Sequence, residues 1–246
     1  MEKITEYALS ALVVLIALTV HEFSHGYAAY KLGDPTAKNL GRLSLNPLKH
    51  LDLIGAICMI LFRIGWAKPV PINARYFRRP KRDFAITALA GPISNLVLAF
   101  LSALVYLLVW ALVRDIVFSS QYALSITQNI LLFIYLFHII NIGLAVFNML
   151  PIPPFDGSRI LYSILPAKAY FGIMRYERQI YLGVLAWLFL GEALARWLAS
   201  LPFYEGNPIL YILAEILSLS GLLGHVNGFI SGLMLKFWQL IPFLKI

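Results

Sequence analysis

Long, mostly apolar runs separated by short polar loops make up most of this chain. Such runs extend over residues 5–30, 84–113, 126–147 and 180–198. Each run is long enough to cross a bilayer as an α-helix, which takes about 20 apolar residues. The pattern therefore predicts an all-α polytopic membrane protein.

Two further apolar segments lie in the C-terminal third of the chain. Residues 208–223 predict a fifth span, and the tail at 229–246 predicts a sixth span or a helix lying in the membrane interface. The total is about five to six transmembrane helices. We divide the chain into a core, residues 1–165, and additional C-terminal membrane helices, residues 166–246.

Residues 51–62 form an apolar run that is too short to span a bilayer as a helix. Basic loops flank the run on both sides, so a chain that keeps both loops on one side must enter and leave by the same face. Pro69 and Pro71 follow within residues 65–73, and each proline disfavours helix for the residue before it. The sequence thus predicts a re-entrant or extended segment near residues 51–75.

Composition and charge agree with a membrane protein and orient it. Hydrophobic residues make up 60% of the chain and charged residues 13%, whereas soluble domains carry about 25% charged residues. The net charge of +8 comes from basic residues concentrated in short loops, which is typical of cytoplasmic loops and argues against a nucleic-acid partner. Alternation of the spans then puts the N-terminus outside, and residues 21–25 and 148–156 toward the cytoplasmic side of the cell membrane. The single Cys58 excludes an internal disulfide.

The sequence HEFSH at residues 21–25 follows the most apolar part of the first span. His21 and His25 are four residues apart on one helix, so they share a face and can converge on a single metal ion. Glu22 is close enough to accept a proton from a water that the metal activates. Ionisable groups within a membrane cost roughly 2.5–3.5 kcal/mol each, so three of them are rarely kept for packing alone. The pattern predicts a metal site within the membrane.

Catalytic zinc commonly takes three protein ligands plus water, so the two histidines require a third ligand at similar depth. Asp156 is the best candidate, because it follows a span and lies in a proline-rich segment without regular structure. An alternative is that Asp156 caps the helix that begins at Gly157, a common role for aspartate. A glutamate third ligand, Glu177 or Glu192, is a further alternative without a comparable motif around it.

Three motifs occur on successive apolar segments: HEFSH at 21–25, GPISN at 91–95 and NMLPIPPFDG at 148–157. Together they resemble the site-2 protease family of intramembrane zinc metalloproteases, and in particular its compact prokaryotic members without a PDZ domain. The resemblance covers roughly residues 10–165. It implies one Zn²⁺ ion held by three ligands, a glutamate general acid/base and two asparagines that bind the substrate backbone or the oxyanion. The residues in these roles are His21, His25 and Asp156, then Glu22, then Asn95 and Asn148.

The two asparagines have different support from the sequence itself. Asn148 is an uncharged donor near the predicted metal, which suits a tetrahedral intermediate. Asn95 has an equally good alternative, a hydrogen bond between helices of the kind that membrane proteins use for packing. His50 and His138 are kept out of the predicted site.

The function expected from these residues is that of a zinc endopeptidase. It would hydrolyse peptide bonds within or near transmembrane segments of membrane proteins, as in regulated intramembrane proteolysis. The alternative is a metal-binding membrane transporter or a non-catalytic scaffold; Glu22 argues against both, because neither needs a carboxylate beside the metal ligands. Residues 65–73 could offer a strand edge to an unwound substrate. The physiological substrate and the oligomeric state are left open by the sequence.

Overall fold

The computed structural model describes residues 2–62, 65–118 and 120–244. All regular structure within these ranges is helical, and no described residue belongs to a regular β-strand. The α-helices are α1 (Glu2–Lys31), α2 (Thr36–Asn39), α3 (Leu53–Phe62), α4 (Pro80–Val113), α5 (Gln121–Asn148), α6 (Asp156–Ile164), α7 (Ala167–Met174), α8 (Glu177–Ala199), α9 (Pro208–Leu217) and α10 (Leu219–Trp238). The predicted all-α fold is confirmed.

Four of the described helices, α1, α4, α5 and α8, are long and apolar enough to cross a membrane. Their spans are 23 to 34 residues long, and they coincide with the four long apolar runs of the sequence. A polytopic membrane protein is therefore confirmed. The sequence predicted five to six spans, and four candidate spans are found among the described residues.

The fifth span, predicted over residues 208–223, is wrong. α9 ends at Leu217 and α10 begins at Leu219, with Ser218 between them in an extended conformation. Oγ of Ser218 accepts a hydrogen bond from the backbone N–H of Gly221 at 2.9 Å, so the serine caps the second helix. A side-chain cap of this kind starts a new helix within an apolar run, where hydropathy alone predicts a continuous one.

The core of the fold consists of α1, α4 and α5, which pack against one another, with α6 packed against α4. The contact surfaces carry small residues: Ala17, Ala29, Ala99 and Ala103 are completely buried. Small side chains let helices approach closely, which is how helices associate where lipid provides no hydrophobic driving force. The close approach brings the second half of α1 against α4 and the beginning of α6.

α4 runs without a break through Pro92. Proline removes one backbone hydrogen bond from a helix, and transmembrane helices tolerate this because neighbouring helices and hydroxyl side chains compensate. Pro92 is almost completely buried, and Oγ of Ser94 donates to the carbonyl oxygen of Gly91 at 2.7 Å. Packing thus keeps the helix continuous.

The short apolar run forms α3, a ten-residue helix, and residues 65–73 beyond it are not helical. Leu51 and Ala67 form an isolated antiparallel bridge, and the N–H of Lys68 donates to the carbonyl oxygen of His50 at 2.8 Å. The segment after α3 is therefore held beside the beginning of that helix. That α3 enters and leaves the membrane by the same face stays a prediction.

Candidate metal centre

Three of the predicted site residues lie together in the protein interior. The Nε2 atoms of His21 and His25 are 3.0 Å apart, and each lies 3.1 Å from Oδ2 of Asp156. Donors about 2.0–2.1 Å from one zinc ion lie about 3–3.5 Å from one another, so these distances suit three ligands of one ion. Among the described residues, these three form the group of side chains that can hold a metal. Glu177 and Glu192, the alternative third ligands, are outside that group and lie on α8.

Asp156 reaches the histidines because α6 begins at this residue. Phe155 is the capping position and makes no side-chain cap, so the interpretation of Asp156 as an N-cap is wrong. Gly157 permits the arrangement, since a Cβ atom there would lie 2.3 Å from the carbonyl oxygen of Met149. Oδ2 of Asp156 thus faces Nε2 of both histidines. A carboxylate oxygen is one of the ligands that zinc takes.

The tautomer of each histidine follows from the partner of its other ring nitrogen. Nδ1 of His25 lies 2.7 Å from the carbonyl oxygen of Thr87, which accepts hydrogen bonds and cannot donate. Nδ1 therefore carries the proton, and Nε2 presents its lone pair to the centre. Nδ1 of His21 lies 2.5 Å from Oδ1 of Asn95, which is also an acceptor, so His21 has the same tautomer.

Asn95 is completely buried, and both ends of its amide have partners. Nδ2 donates to Oδ1 of Asn141 at 2.7 Å and approaches the carbonyl oxygen of Ala17 at 3.5 Å. Oδ1 is therefore the atom that faces His21. Metal-binding histidines generally make such a contact with their second ring nitrogen, and it orients the ring. That Asn95 binds substrate stays a prediction.

The three donor atoms face one another with no hydrogen between them. Two lone pairs and a carboxylate oxygen within 3.0–3.1 Å of one another suit a shared cation. Two imidazoles and one carboxylate are a donor set that catalytic zinc takes, with a further position open to water or substrate. Gly91 of α4 keeps the adjoining space open, because a Cβ atom there would lie 2.4 Å from Nε2 of His25 and 2.6 Å from Nε2 of His21. The residues of this site therefore fit zinc.

Glu22 lies beside the two histidines on α1, and its carboxylate has a partner of its own. Oε2 of Glu22 accepts a hydrogen bond from the backbone N–H of Val70 at 2.7 Å. Val70 is buried and belongs to the extended residues 65–73, which we call the strap. The backbone thus holds one oxygen of the Glu22 carboxylate and leaves the other available for proton transfer.

Two side chains from the loops after α1 hold the strap in its position. Nη2 of Arg42 donates to the carbonyl oxygens of Lys68 and Pro69, at 2.7 and 3.3 Å. Oδ2 of Asp34, a completely buried carboxylate, accepts from the backbone N–H of Asn73 at 2.7 Å. The strap is fastened on both sides of Val70, which fixes the N–H group that Glu22 accepts from.

Asn148, the second predicted asparagine, is half-buried at the end of α5. Nδ2 of Asn148 donates to the carbonyl oxygen of Leu144 at 2.9 Å, within its own helix. An amide nitrogen carries two hydrogens, so this bond uses one of them. Its predicted contact with the substrate or the oxyanion stays a prediction.

Residues 9–190 match the model of peptidase family M50. The chain belongs to this family. The resemblance to site-2 proteases is thereby confirmed, together with the prediction of a metallopeptidase that uses zinc. No solved structure matches the M50 peptidase described here.

Curated relatives of this M50 peptidase carry zinc metalloprotease as a provisional name. YwhC of Bacillus subtilis is 38% identical over 171 residues, which cover 68% of this chain and 75% of the relative. Rip2 of Mycolicibacterium smegmatis is 29% identical over 195 residues, covering 77% of this chain and 70% of the relative. Rip2 of Mycobacterium tuberculosis is 24% identical over 232 residues, covering 92% and 79%.

Several residues that support the site were missed in the sequence. Thr87 acts through its carbonyl group, and Val70 through its N–H, so neither side chain gives a signal. Asn141 and Asp34 contact the site or the strap only through segments that are distant along the chain. His138 bonds between helices, because Nδ1 lies 2.8 Å from a carbonyl of α4 and Nε2 lies 2.9 Å from a serine hydroxyl of α10.

Proposed function

We propose that this M50 peptidase is an intramembrane zinc endopeptidase that cleaves peptide bonds within or near transmembrane segments of membrane proteins. The observation that carries the proposal is the donor set of His21, His25 and Asp156, buried among helices with the length and hydropathy of membrane spans. Substrates that reach such a site are themselves embedded in the bilayer, so the proposed partners are transmembrane proteins.

His21, His25 and Asp156 would hold the zinc ion through Nε2, Nε2 and Oδ2. When bound, zinc supplies Lewis acidity, which polarises the scissile carbonyl and makes a water nucleophilic at neutral pH. Asn95 and Thr87 orient the two imidazoles by accepting from their Nδ1–H groups. The chain thus presents two preset lone pairs and one ionised carboxylate.

Glu22 moves the proton in the proposed reaction. Its carboxylate takes a proton from the attacking water and then delivers that proton to the leaving amine nitrogen. The N–H of Val70 holds Oε2, so Oε1 is the oxygen that exchanges the proton. Asn148 is the proposed donor to the oxyanion, through the hydrogen that is not bonded to Leu144.

An apolar cleft of about 250 Å³ between α1 and α3 supports the choice of substrate. Ala11, Leu15 and Leu18 line it on α1, and Ala56 and Trp66 line it on the other side. The spacing of the three α1 residues puts them on the same helix face as Glu22. We propose that the cleft receives an apolar, locally unwound stretch of the substrate on its way to Glu22.

The strap is the second part of the proposed peptide-binding region. Three of its backbone N–H groups, at Lys68, Val70 and Asn73, already have acceptors within the protein. Pairing of a substrate strand with the strap would therefore use its remaining backbone groups. The hypothesis predicts weaker cleavage when proline replaces Ile72; unchanged cleavage would count against it.

The basic loops support a position in the cell membrane with the active site toward the cytoplasm. The exposed basic residues include Lys31, Lys49, Lys68, Arg75 and Arg79, which lie in or next to the loops that adjoin the site. Cysteine accessibility from either side of sealed cells tests this orientation. Labelling of a cysteine at Arg75 from the outside alone would contradict it.

The test of the proposed function compares Glu22→Gln with Glu6→Gln in purified protein cleaving a single-pass model substrate. Glu6 is an exposed acid on the same helix, so its variant is the matched control. We expect Glu22→Gln to lower cleavage by about 10²-fold to 10⁴-fold with zinc still bound, and Glu6→Gln to retain both. Cleavage by Glu22→Gln at the normal rate, or none by the unaltered enzyme, would refute the proposal and favour a transporter or scaffold.

A further inference from the structure

The buried amide of Asn141 on α5 lies two hydrogen bonds away from the candidate metal centre. Oδ1 of Asn141 accepts from Nδ2 of Asn95 at 2.7 Å, and Oδ1 of Asn95 accepts from Nδ1 of His21. On its other side, Nδ2 of Asn141 donates to the carbonyl oxygen of Phe137 at 2.7 Å. Asn95 and Asn141 are both 0% exposed, so water does not compete for these groups.

The direction of every bond in this series follows from its far end. The carbonyl of Phe137 can only accept, so the amide nitrogen of Asn141 faces it and the amide oxygen faces Asn95. Because the amide oxygen of Asn141 can only accept, the amide nitrogen of Asn95 must donate to it. The amide oxygen of Asn95 then faces His21. The imidazole must then donate through Nδ1. Its Nε2 is left unprotonated, and that is the atom facing Asp156.

We propose that Asn141 is a positioning residue that fixes the tautomer of His21 through Asn95 and thereby increases the affinity for zinc. This inference rests on the proposed zinc site. The competing explanation is that Asn141 only joins α5 to α4, as interhelical amides do in membranes. The two explanations differ in what happens to metal binding when the acceptor at residue 141 is removed.

Asn141→Leu removes that acceptor and leaves Nδ2 of Asn95 with the long 3.5 Å contact to the carbonyl of Ala17. The amide of Asn95 is then free to turn and present its nitrogen to His21. The imidazole would respond by accepting at Nδ1 and carrying its proton on Nε2, where it blocks the metal. Loss of a direct partner of a metal ligand lowers metal affinity about 10-fold to 100-fold, and we expect about 10-fold for this more distant residue.

Two further variants separate positioning from packing. Asn141→Asp keeps an oxygen for Asn95, and as a neutral acid it can also donate to the carbonyl of Phe137, so it should rescue zinc binding. His138→Leu is the matched structural control, because His138 is buried one turn away and bonds to Ala99 of α4 and Ser231 of α10. It should weaken helix packing and lower the thermal unfolding temperature without changing zinc affinity.

The experiment measures zinc affinity of the purified full chain in detergent by competition with a chromophoric chelator. We expect about tenfold weaker binding in Asn141→Leu and near-normal binding in Asn141→Asp and His138→Leu. Normal affinity in Asn141→Leu would overturn the inference, and so would equal losses in Asn141→Leu and His138→Leu. Absence of stoichiometric zinc in the unaltered protein would instead refute the zinc site itself.

A second measurement reads the tautomer of His21 directly in the unaltered protein. Imidazole nitrogen NMR of the metal-free protein with isotope-labelled histidine, assigned with His21→Gln, reports which ring nitrogen of His21 is protonated. The inference predicts a proton on Nδ1 in the unaltered protein and a shift toward Nε2 in Asn141→Leu. A proton on Nε2 of His21 in the unaltered protein would overturn it.

Discussion

The core of α1, α4, α5 and α6 and the C-terminal helices α7–α10 bury different kinds of residue. Among the described residues, most buried polar side chains lie at or before Ser158. After Ser158, the one buried polar residue in the described part of the chain is Ser231. The buried residues of the C-terminal helices are apolar or small, such as Val184, Leu188, Ala195 and Ala214. Each region contains at least one helix that is long and apolar enough to cross a membrane, so the presence of such a helix does not distinguish them.

The difference shows where function requires polar groups in a membrane protein. A buried polar group without a partner is costly at membrane depth, and in the core Asn95, Asn141 and the carbonyl of Thr87 form a connected set around His21 and His25. The C-terminal helices need only close packing. Substitutions that disturb polar geometry should therefore be severe in the core, while similar changes after residue 166 should be mild.

The largest effect is expected from Gly91→Ala compared with Gly183→Ala. The new Cβ at residue 91 would lie 2.4 and 2.6 Å from the nitrogens of His25 and His21, whereas nothing lies within 4 Å of a Cβ at residue 183. We expect Gly91→Ala to lose its zinc and to cleave at least about 100-fold more slowly. A misplacement of about 1 Å in an active site is enough for a rate loss of that size. Zinc content and turnover in Gly183→Ala should be normal. Equal behaviour of the two variants would remove the contrast between the regions.

A smaller effect on metal binding is expected from Asn95→Leu. It removes the acceptor for Nδ1 of His21, and loss of such a partner weakens metal binding about 10-fold to 100-fold. The checking measurement is the zinc dissociation constant by chelator competition. Unchanged affinity would mean that packing alone orients His21.

Val70→Pro should affect the rate of reaction while leaving the metal in place. It removes the N–H that holds Oε2 of Glu22, since proline has no backbone donor. We expect kcat to fall about tenfold with zinc content unchanged. The loss is smaller than the roughly 10²-fold to 10⁴-fold contribution of a general base, because Glu22 itself is still present. Val70→Ala, which retains the N–H, is the control. A normal kcat in Val70→Pro would show that the strap does not orient Glu22.

The smallest effect is expected from Asn227→Leu in α10. Oδ1 of Asn227 is buried and has no hydrogen-bond partner among the described residues, and such a group costs roughly 1–3 kcal/mol. Its replacement by leucine should therefore leave zinc binding unchanged and raise the thermal unfolding temperature slightly. Loss of zinc in this variant would mean that the C-terminal helices contribute to the site after all.

The comparison also explains how much could be predicted from the sequence. α1, α4, α5 and α8 were predictable because an uninterrupted apolar run of sufficient length has one stable form in a bilayer. The three donors were predictable because the spacing of His21 and His25 is local and the context of Asp156 is distinctive. Each of these signals is contained in a single continuous stretch of the chain.

What could not be predicted depends on contacts between distant segments or on the backbone. The contacts of Asn141 and of the carbonyl of Thr87 exist only once α4 and α5 have packed beside α1. The capping of α10 by Ser218 is a local competition between a side chain and a continuous helix, and an apolar window does not register it. The course of α4 through Pro92 likewise depends on its neighbours.

The central claim is that His21, His25 and Asp156 bind one zinc ion together. The most direct measurement is the zinc content of the purified protein by elemental mass spectrometry, for the unaltered chain, Asp156→Ala and Asp34→Ala. Asp34 is a buried acid that fastens the strap, so its variant controls for the loss of a buried carboxylate. We predict one zinc per chain in the unaltered protein and in Asp34→Ala, and almost none in Asp156→Ala. A zinc-free unaltered protein, or a full complement of zinc in Asp156→Ala, would contradict the account.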